Sequence, residues 1–457
     1  MIKVIKLEDK VNKLVKKYVV TTVQYNAPLN NEFYKSMKNY CAVNEAQMIV
    51  IPTTGKNITE EQILHPTLQS DTDILITNSY KFNNNLKLTD FGVRSQQINP
   101  LTGLERFAQG DTSYIMPGTK QVMKRVANSH NSAPKALMTT GALTHPYYNE
   151  KHRVGRIAKH DHRYGMIVVE VEDNNLFHFR NVKSLKNGKF IDLGKLYDGK
   201  WKPKKVRALA EVFGDIHPYQ LNKVHQQASY EQSKQLNTEN LFLHDTFNGY
   251  SISHHYKGAN SVAYKVAKTQ GLNLEEELKE TLSVLKDYSA NTKGNIYIVP
   301  SNHDEHLNRY LDEARFINDK GNDLIGAQIY VGYLQGQNPL QYGLSLVGEI
   351  PKNITFLNRN DDFKLKGYQL NRHGDRGSSG ARGSQRTHEI ANGKSITAHR
   401  HAPEIIRDSY VVGTSTDLVL DYTEGYYNSW DNTNAILYED GSVQLLNTLS
   451  NGKWKSD

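Results

Sequence analysis

Asp215 and His217 stand two positions apart in the stretch FGDIHPYQ, directly after the apolar run 206–213. The same arrangement, a short apolar strand followed at once by polar groups able to bind metal, recurs four times. Residues 241–243 lead to His244, Asp245 and Asn248, and residues 295–300 lead to Ser301, Asn302, His303, Asp304, Glu305 and His306. Residues 361–370 lead to Arg372 and His373, and residues 395–397 to Ala398, His399, Arg400 and His401. Strand ends are where loops converge on a site in α/β sheets, so the five loops are expected to meet. Their residue types suit two divalent ions roughly 3.5–4 Å apart, which need oxygen and imidazole ligands and one carboxylate able to bridge, and which activate a water for attack on phosphorus. The set contains no sulfur, which favours manganese, iron, zinc or magnesium.

In order and spacing, Asp215-Ile-His217, Asp245 with Asn248, Asn302-His303-Asp304, the lone His373 and His399-Arg-His401 resemble the signature of the calcineurin-like metallophosphoesterases, in particular their DNA-repair and exonuclease-like branch. The resemblance covers roughly residues 205–405. It implies that Asp215, His217 and His401 hold one metal, that Asn302, His373 and His399 hold the other, and that Asp245 bridges them. It gives His303, steadied by Asp304, the task of protonating the leaving oxygen or stabilising charge on it. Two divalent ions, manganese foremost, are the implied cofactors. The implied fold is a four-layer sandwich of two packed mixed β-sheets flanked by helices, with the site at the strand ends. The chain departs from the family in having His244, Ser301 and Ala398 where glycine usually precedes the bridging Asp, the Asn-His pair and the final His-x-His. Asn248 stands where many members have Asp.

Stepping N-terminally, residues 18–24, 31–43 and 47–52 read as a β-α-β unit, and 73–76 and 135–140 as further buried strands. Residues 165–171 and 176–180 read as a hairpin around an Asn-rich turn. An α/β accessory domain over 1–204, serving substrate binding or assembly of a homo-oligomer, is therefore expected before a catalytic domain over 205–457. Val4, Leu7, Val11, Leu14, Val15 and Tyr18 are spaced as on one helix face. Between Lys183 and Arg207 nine Lys or Arg face two Asp among glycines, a basic linker or hairpin that either is simply solvated or meets phosphate. His160 and His162 flank Asp161 as a weaker candidate metal pair. His254, His255 and His306 lack partners at ligand spacing.

At 457 residues, 38% hydrophobic and 23% charged, the chain has the composition of a globular protein. Its single cysteine, Cys41, excludes a disulfide framework or thiolate zinc site and suits a reducing cytoplasm. The apolar runs are too short to span a membrane, and no membrane partner is expected. A net charge of +8, four arginines near His373 (Arg372, Arg376, Arg382, Arg386) and 27 tyrosines lean toward a nucleic acid substrate, DNA foremost, and so toward a DNA nuclease. A phosphatase acting on protein or small molecules, and a non-catalytic nucleic-acid scaffold on the same fold, are the alternatives. The layout also resembles phage-encoded members of the superfamily that act in host-DNA degradation or DNA transfer, which would place it in the host cytoplasm.

Overall fold

The computed structural model describes residues 16–56, 59–129, 133–253, 273–420, 423 and 425–456. Residues 4–15 of the helically spaced segment and the pair His254-His255 lie outside them. The N-terminal β-α-β unit forms as its pattern requires: strand Lys17–Gln24 pairs in parallel with Gln47–Thr53 across helix Asn31–Asn44. The Asn30 side chain caps that helix by accepting the Phe33 N–H. Phe33, Met37 and Tyr40 recur on its buried face. Ile74–Ile76 and the antiparallel hairpin Gly165–Val171/Phe177–Lys183 complete a five-stranded mixed sheet. Asp173 Oδ1 closes the hairpin turn by accepting the N–H groups of Asn175 and Leu176, each at 2.7 Å.

The basic stretch after Lys183 is a small three-stranded sheet, Phe190–Asp192, Lys195–Tyr197 and Lys204–Lys205, packed under that helix through Phe190 and Tyr197. Most of its lysines point into solvent. One cation is buried beside it: Arg180 is shared by Asp192 at 2.8 Å and Glu170 at 3.0 Å.

A six-stranded sheet carries the loops of interest. Its order is Ile354–Phe356, Asn295–Ile298, Asn240–Leu243, Ala208–Val212, Thr433–Tyr438 and Val443–Asn447. The first four strands are parallel and the last two join antiparallel. The two-residue period of the strands divides their side chains. Leu241, Leu243, Ile296 and Ile298 face the helices Leu274–Asn291, Asp304–Asp312, Asp323–Leu334 and Pro339–Val347. Ala210, Val212, Phe242 and Leu437 face a core shared with the other large sheets.

A ten-stranded mixed sheet lies across that core, and it takes five strands from each side of residue 204. Its two halves are joined where Glu404–Ile406 pairs antiparallel with Val122–Val126, Ile405 opposite Met123. The ten-stranded sheet thus runs across the expected division at 204/205. Local patterning identifies a strand but says nothing about an edge partner some 280 residues away. The chain is thus a mixed α/β protein of several mixed sheets and flanking helices. Among the described residues no helix is long and apolar enough to cross a membrane.

Because Met123 and Ile405 share one ladder, residues 1–204 expressed alone are expected to show no cooperative thermal transition by circular dichroism. A sharp transition in that fragment would show that the two halves fold separately.

Candidate metal centre

Strands Ala208–Val212, Asn240–Leu243 and Asn295–Ile298 are parallel neighbours, so their C-terminal ends lie at one edge of the sheet. Backbone pairing continues into the loops beyond them: Ile216 N–H donates to the His244 carbonyl and His217 N–H to that of Asp245, both at 2.9 Å. The other two loops leave the ten-stranded sheet after Tyr368–Gln369 and Ser395–Thr397, which are also parallel neighbours. Ala398 N–H donates to the His373 carbonyl at 2.7 Å. The two groups of loops meet where His399 N–H reaches Asp215 Oδ1 at 3.3 Å. Gly214 permits a second close approach beside Asp215, since a Cβ there would lie 2.7 Å from the Thr414 backbone.

Asp215, His217, Asp245 and His401 are all buried and offer ligand atoms within 4.8 Å of one another. His401 Nε2 is 2.9 Å from Asp215 Oδ2, and His217 Nε2 is 3.5 Å from Asp245 Oδ2. On the other side of Asp245, His373 Nε2 lies 3.3 Å from Oδ2 and 3.2 Å from His399 Nδ1. Asp245 Oδ1 and Asn302 Oδ1 are buried with no hydrogen-bond partner. Leaving such an atom unsatisfied costs about 1–3 kcal/mol, which a bound cation would offset. The backbone is also held in a costly form, with φ of 44° at His217, 48° at Asp245, 70° at His399 and 56° at His401. The left-handed region costs an L-residue roughly 1–2 kcal/mol, and such outliers concentrate at functional sites.

The electrostatics suit a cation. Burial lowers His217 and His399 to about 4, so both imidazoles are neutral at ordinary pH. Burial and Asp245 push Asp215 upward, but His373 and His401 outweigh them and bring its carboxyl to about 2. Burial of Asp245 is likewise overcome, chiefly by His373 and His303, and its carboxyl is held well below the usual range. Burial also opposes charge on His373, yet Asp245 and Asp215 raise it to about 9. The ionised carboxylates and neutral rings are the forms that ligate divalent ions, and the donor set of oxygen and nitrogen fits manganese, magnesium, iron or zinc.

Asn248 braces two rings of the site. Its Oδ1 lies 3.0 Å from His217 Nδ1, and its carbonyl accepts His303 Nδ1 at 2.9 Å. Its loop is pinned by buried Glu277, which accepts the N–H groups of Tyr250 and Ser251 at 2.8 Å each. His244 stands behind the site, with Nδ1 at 3.4 Å from that of His373. Ser301 and Ala398 keep negative φ, so neither needs to be glycine. Asp304 does not brace His303 as expected. Its carboxylate accepts the Ser301 N–H at 2.9 Å, and burial pushes it up to about 7.

His303 lines the open cleft over this centre together with Arg382, Arg400 and Trp430. Of the four arginines proposed for phosphate, Arg382 alone lines it. Arg372 donates to the carbonyls of Arg359, Asp361 and Asn371, and Arg376 pairs with Glu305. Arg386 sits on helix Gln385–Asn392 and does not line the cleft. Arg400 and Trp430 were not singled out from sequence; Arg400 could have been, since it stands between two expected ligands. His160 and His162 do not converge: the His162 ring is held by Tyr148 Oη at 2.8 Å and the Thr144 carbonyl at 2.9 Å, while His160 faces outward. Comparison with protein-family models, curated proteins and solved structures gives no match, so the reading of the site rests on its own residues.

The His373 imidazolium must lose its proton before that ring can ligate. Manganese binding near neutral pH is therefore expected to release about one proton per chain, read by titration calorimetry in buffers of different ionisation enthalpy. Apparent affinity should rise with pH until about 9, where the free ring is no longer protonated. Binding without proton release would contradict this assignment.

Proposed function

We propose that this chain is a two-metal phosphodiesterase that hydrolyses DNA, built on a metallophosphoesterase sandwich. The observation that carries the reading is the convergence, from five loops of two sheets, of two buried carboxylates with His217, His373, His399 and His401 beside the orphaned Asn302 oxygen. Asp215, His217 and His401 would hold one cation, and Asn302, His373 and His399 the other, with Asp245 between them. The ions would supply Lewis acidity and an activated water.

The chain's own residues do the rest. Asn248 fixes the rings of His217 and His303 from one position. His303 lines the cleft with its ring centroid 4.8 Å from that of His217, placed to meet a leaving group. As water oxygen bonds to phosphorus and the P–O ester bond breaks, the departing oxygen takes a proton, which His303 is positioned to give. Arg382 and Arg400 offset charge on the phosphoryl oxygens. The net charge of +8 favours a polyanionic substrate.

Purified protein with manganese is expected to cleave DNA and a chromogenic phosphodiester, and chelator to abolish both. Asp245→Ala should lose metal and activity together. His303→Ala should keep its metal while turnover falls about a hundredfold or more. Robust phosphomonoester hydrolysis with no DNA cleavage would replace the nuclease reading with a phosphatase, and normal cleavage by His303→Ala would remove the role given to that ring.

A further inference from the structure

One large aromatic side chain, Trp430, lines the cleft. Trp430 sets its ring edge-on to His401, centroids 4.3 Å apart and planes at 67°. Three and four residues before it, Tyr427 and Tyr426 are 81% and 69% exposed, and Tyr427 is the most exposed large apolar side chain among the described residues. Large aromatic rings left in water mark contact surfaces more often than packing.

The segment that carries them is anchored at several points. Asn428 and Asn128 exchange backbone hydrogen bonds at 3.0 and 3.3 Å, and Asn428 Nδ2 donates to the Leu418 carbonyl at 3.0 Å. Asn428 Oδ1 accepts the Trp430 N–H at 3.3 Å, and Asp431 N–H donates to the carbonyl of His401 at 3.1 Å. The aromatic rings are thus presented from a fixed backbone tied to an expected metal ligand. Three peptide units separate Tyr427 from Trp430, so their Cα atoms are at most about 11 Å apart, within reach of a short stretch of extended strand. Arg382 and Arg400 line the same cleft, with Arg400 also paired to Glu404.

We infer that Trp430, Tyr427 and Tyr426 form a base-stacking platform, and that DNA reaches the metal centre as a single strand. This deepens the phosphodiesterase reading and rests on it. A duplex keeps its base faces stacked on one another, whereas an unpaired strand offers each face to an aromatic ring. Its phosphates then run toward Arg382, Arg400 and the ligand cluster. Stacking tolerates any base, so the platform holds the strand without selecting a sequence.

The test measures binding by the full chain in chelator, with no cleavage needed. The probes are a labelled single-stranded oligodeoxynucleotide, an abasic strand of the same length and a blunt duplex of the same sequence. The base-bearing strand is expected to bind about tenfold or more tighter than the abasic one and to quench tryptophan fluorescence. Trp430→Ala and the double variant Tyr426→Ala/Tyr427→Ala should remove most of that preference, while Trp430→Phe keeps it. Equal affinity for the two strands, or a preference the variants leave intact, overturns the platform, and tighter binding of the duplex overturns the single-strand assignment. Base-dependent binding with no diester hydrolysis under manganese would sustain the platform and remove the hydrolytic reading. Hydrolysis of a chromogenic diester with base-indifferent binding would do the reverse.

Discussion

Asp215 and Asp245 are 0% and 2% exposed, at the ends of neighbouring parallel strands, and both lie against the same imidazole. His373 places Nδ1 3.8 Å from one carboxylate and Nε2 3.3 Å from the other. Two like charges taken out of water so close together need positive charge between them, because neither solvent nor the sheet can screen them. A protonated His373 meets that need in part. Cations ligated by both carboxylates, as proposed, would meet it fully, with the surrounding neutral histidines and unsatisfied oxygens as further donors.

The scaffold follows from that requirement. One sheet cannot bring all seven expected ligands to a point, so the site lies where loops from the six-stranded and ten-stranded sheets meet over a shared core. Packing of Val212, Phe242, Ile396 and Val412 in that core fixes the separation of the two loop groups. Positive φ at four of the expected ligands turns the chain inward after three of the five strands. Asn248 then couples an expected metal ligand to the ring over the cleft, and Glu277 holds the Asn248 loop from below. A disturbance of any one support would displace several ligands at once.

Much of this was legible in the sequence. Asp215-x-His217 and His399-x-His401 follow apolar strands, and their short spacing keeps both side chains of each pair within one site. The β-α-β unit and the Asn-rich hairpin were marked by period and turn chemistry. The edge partnership of Glu404–Ile406 with Val122–Val126 was not, because it is a tertiary choice between distant strands. Long charged side chains were the other loss. Arg372 and Arg376 stand beside His373 in sequence, but one turns to backbone carbonyls and the other to Glu305. Asp304 was misread for the same reason: adjacency to His303 did not reveal that its carboxylate caps Ser301 instead. Trp430 carried no signal at all, since its value lies in a contact with His401 that only the fold creates.

The proposed site requires two cations to neutralise its buried carboxylates. An anomalous difference map from crystals grown with manganese tests it most directly. Two peaks are predicted, one among Asp215, His217 and His401 and one among Asn302, His373 and His399, with Asp245 touching both. The absence of any peak at these side chains, or a lone peak that Asp245 does not contact, would contradict it.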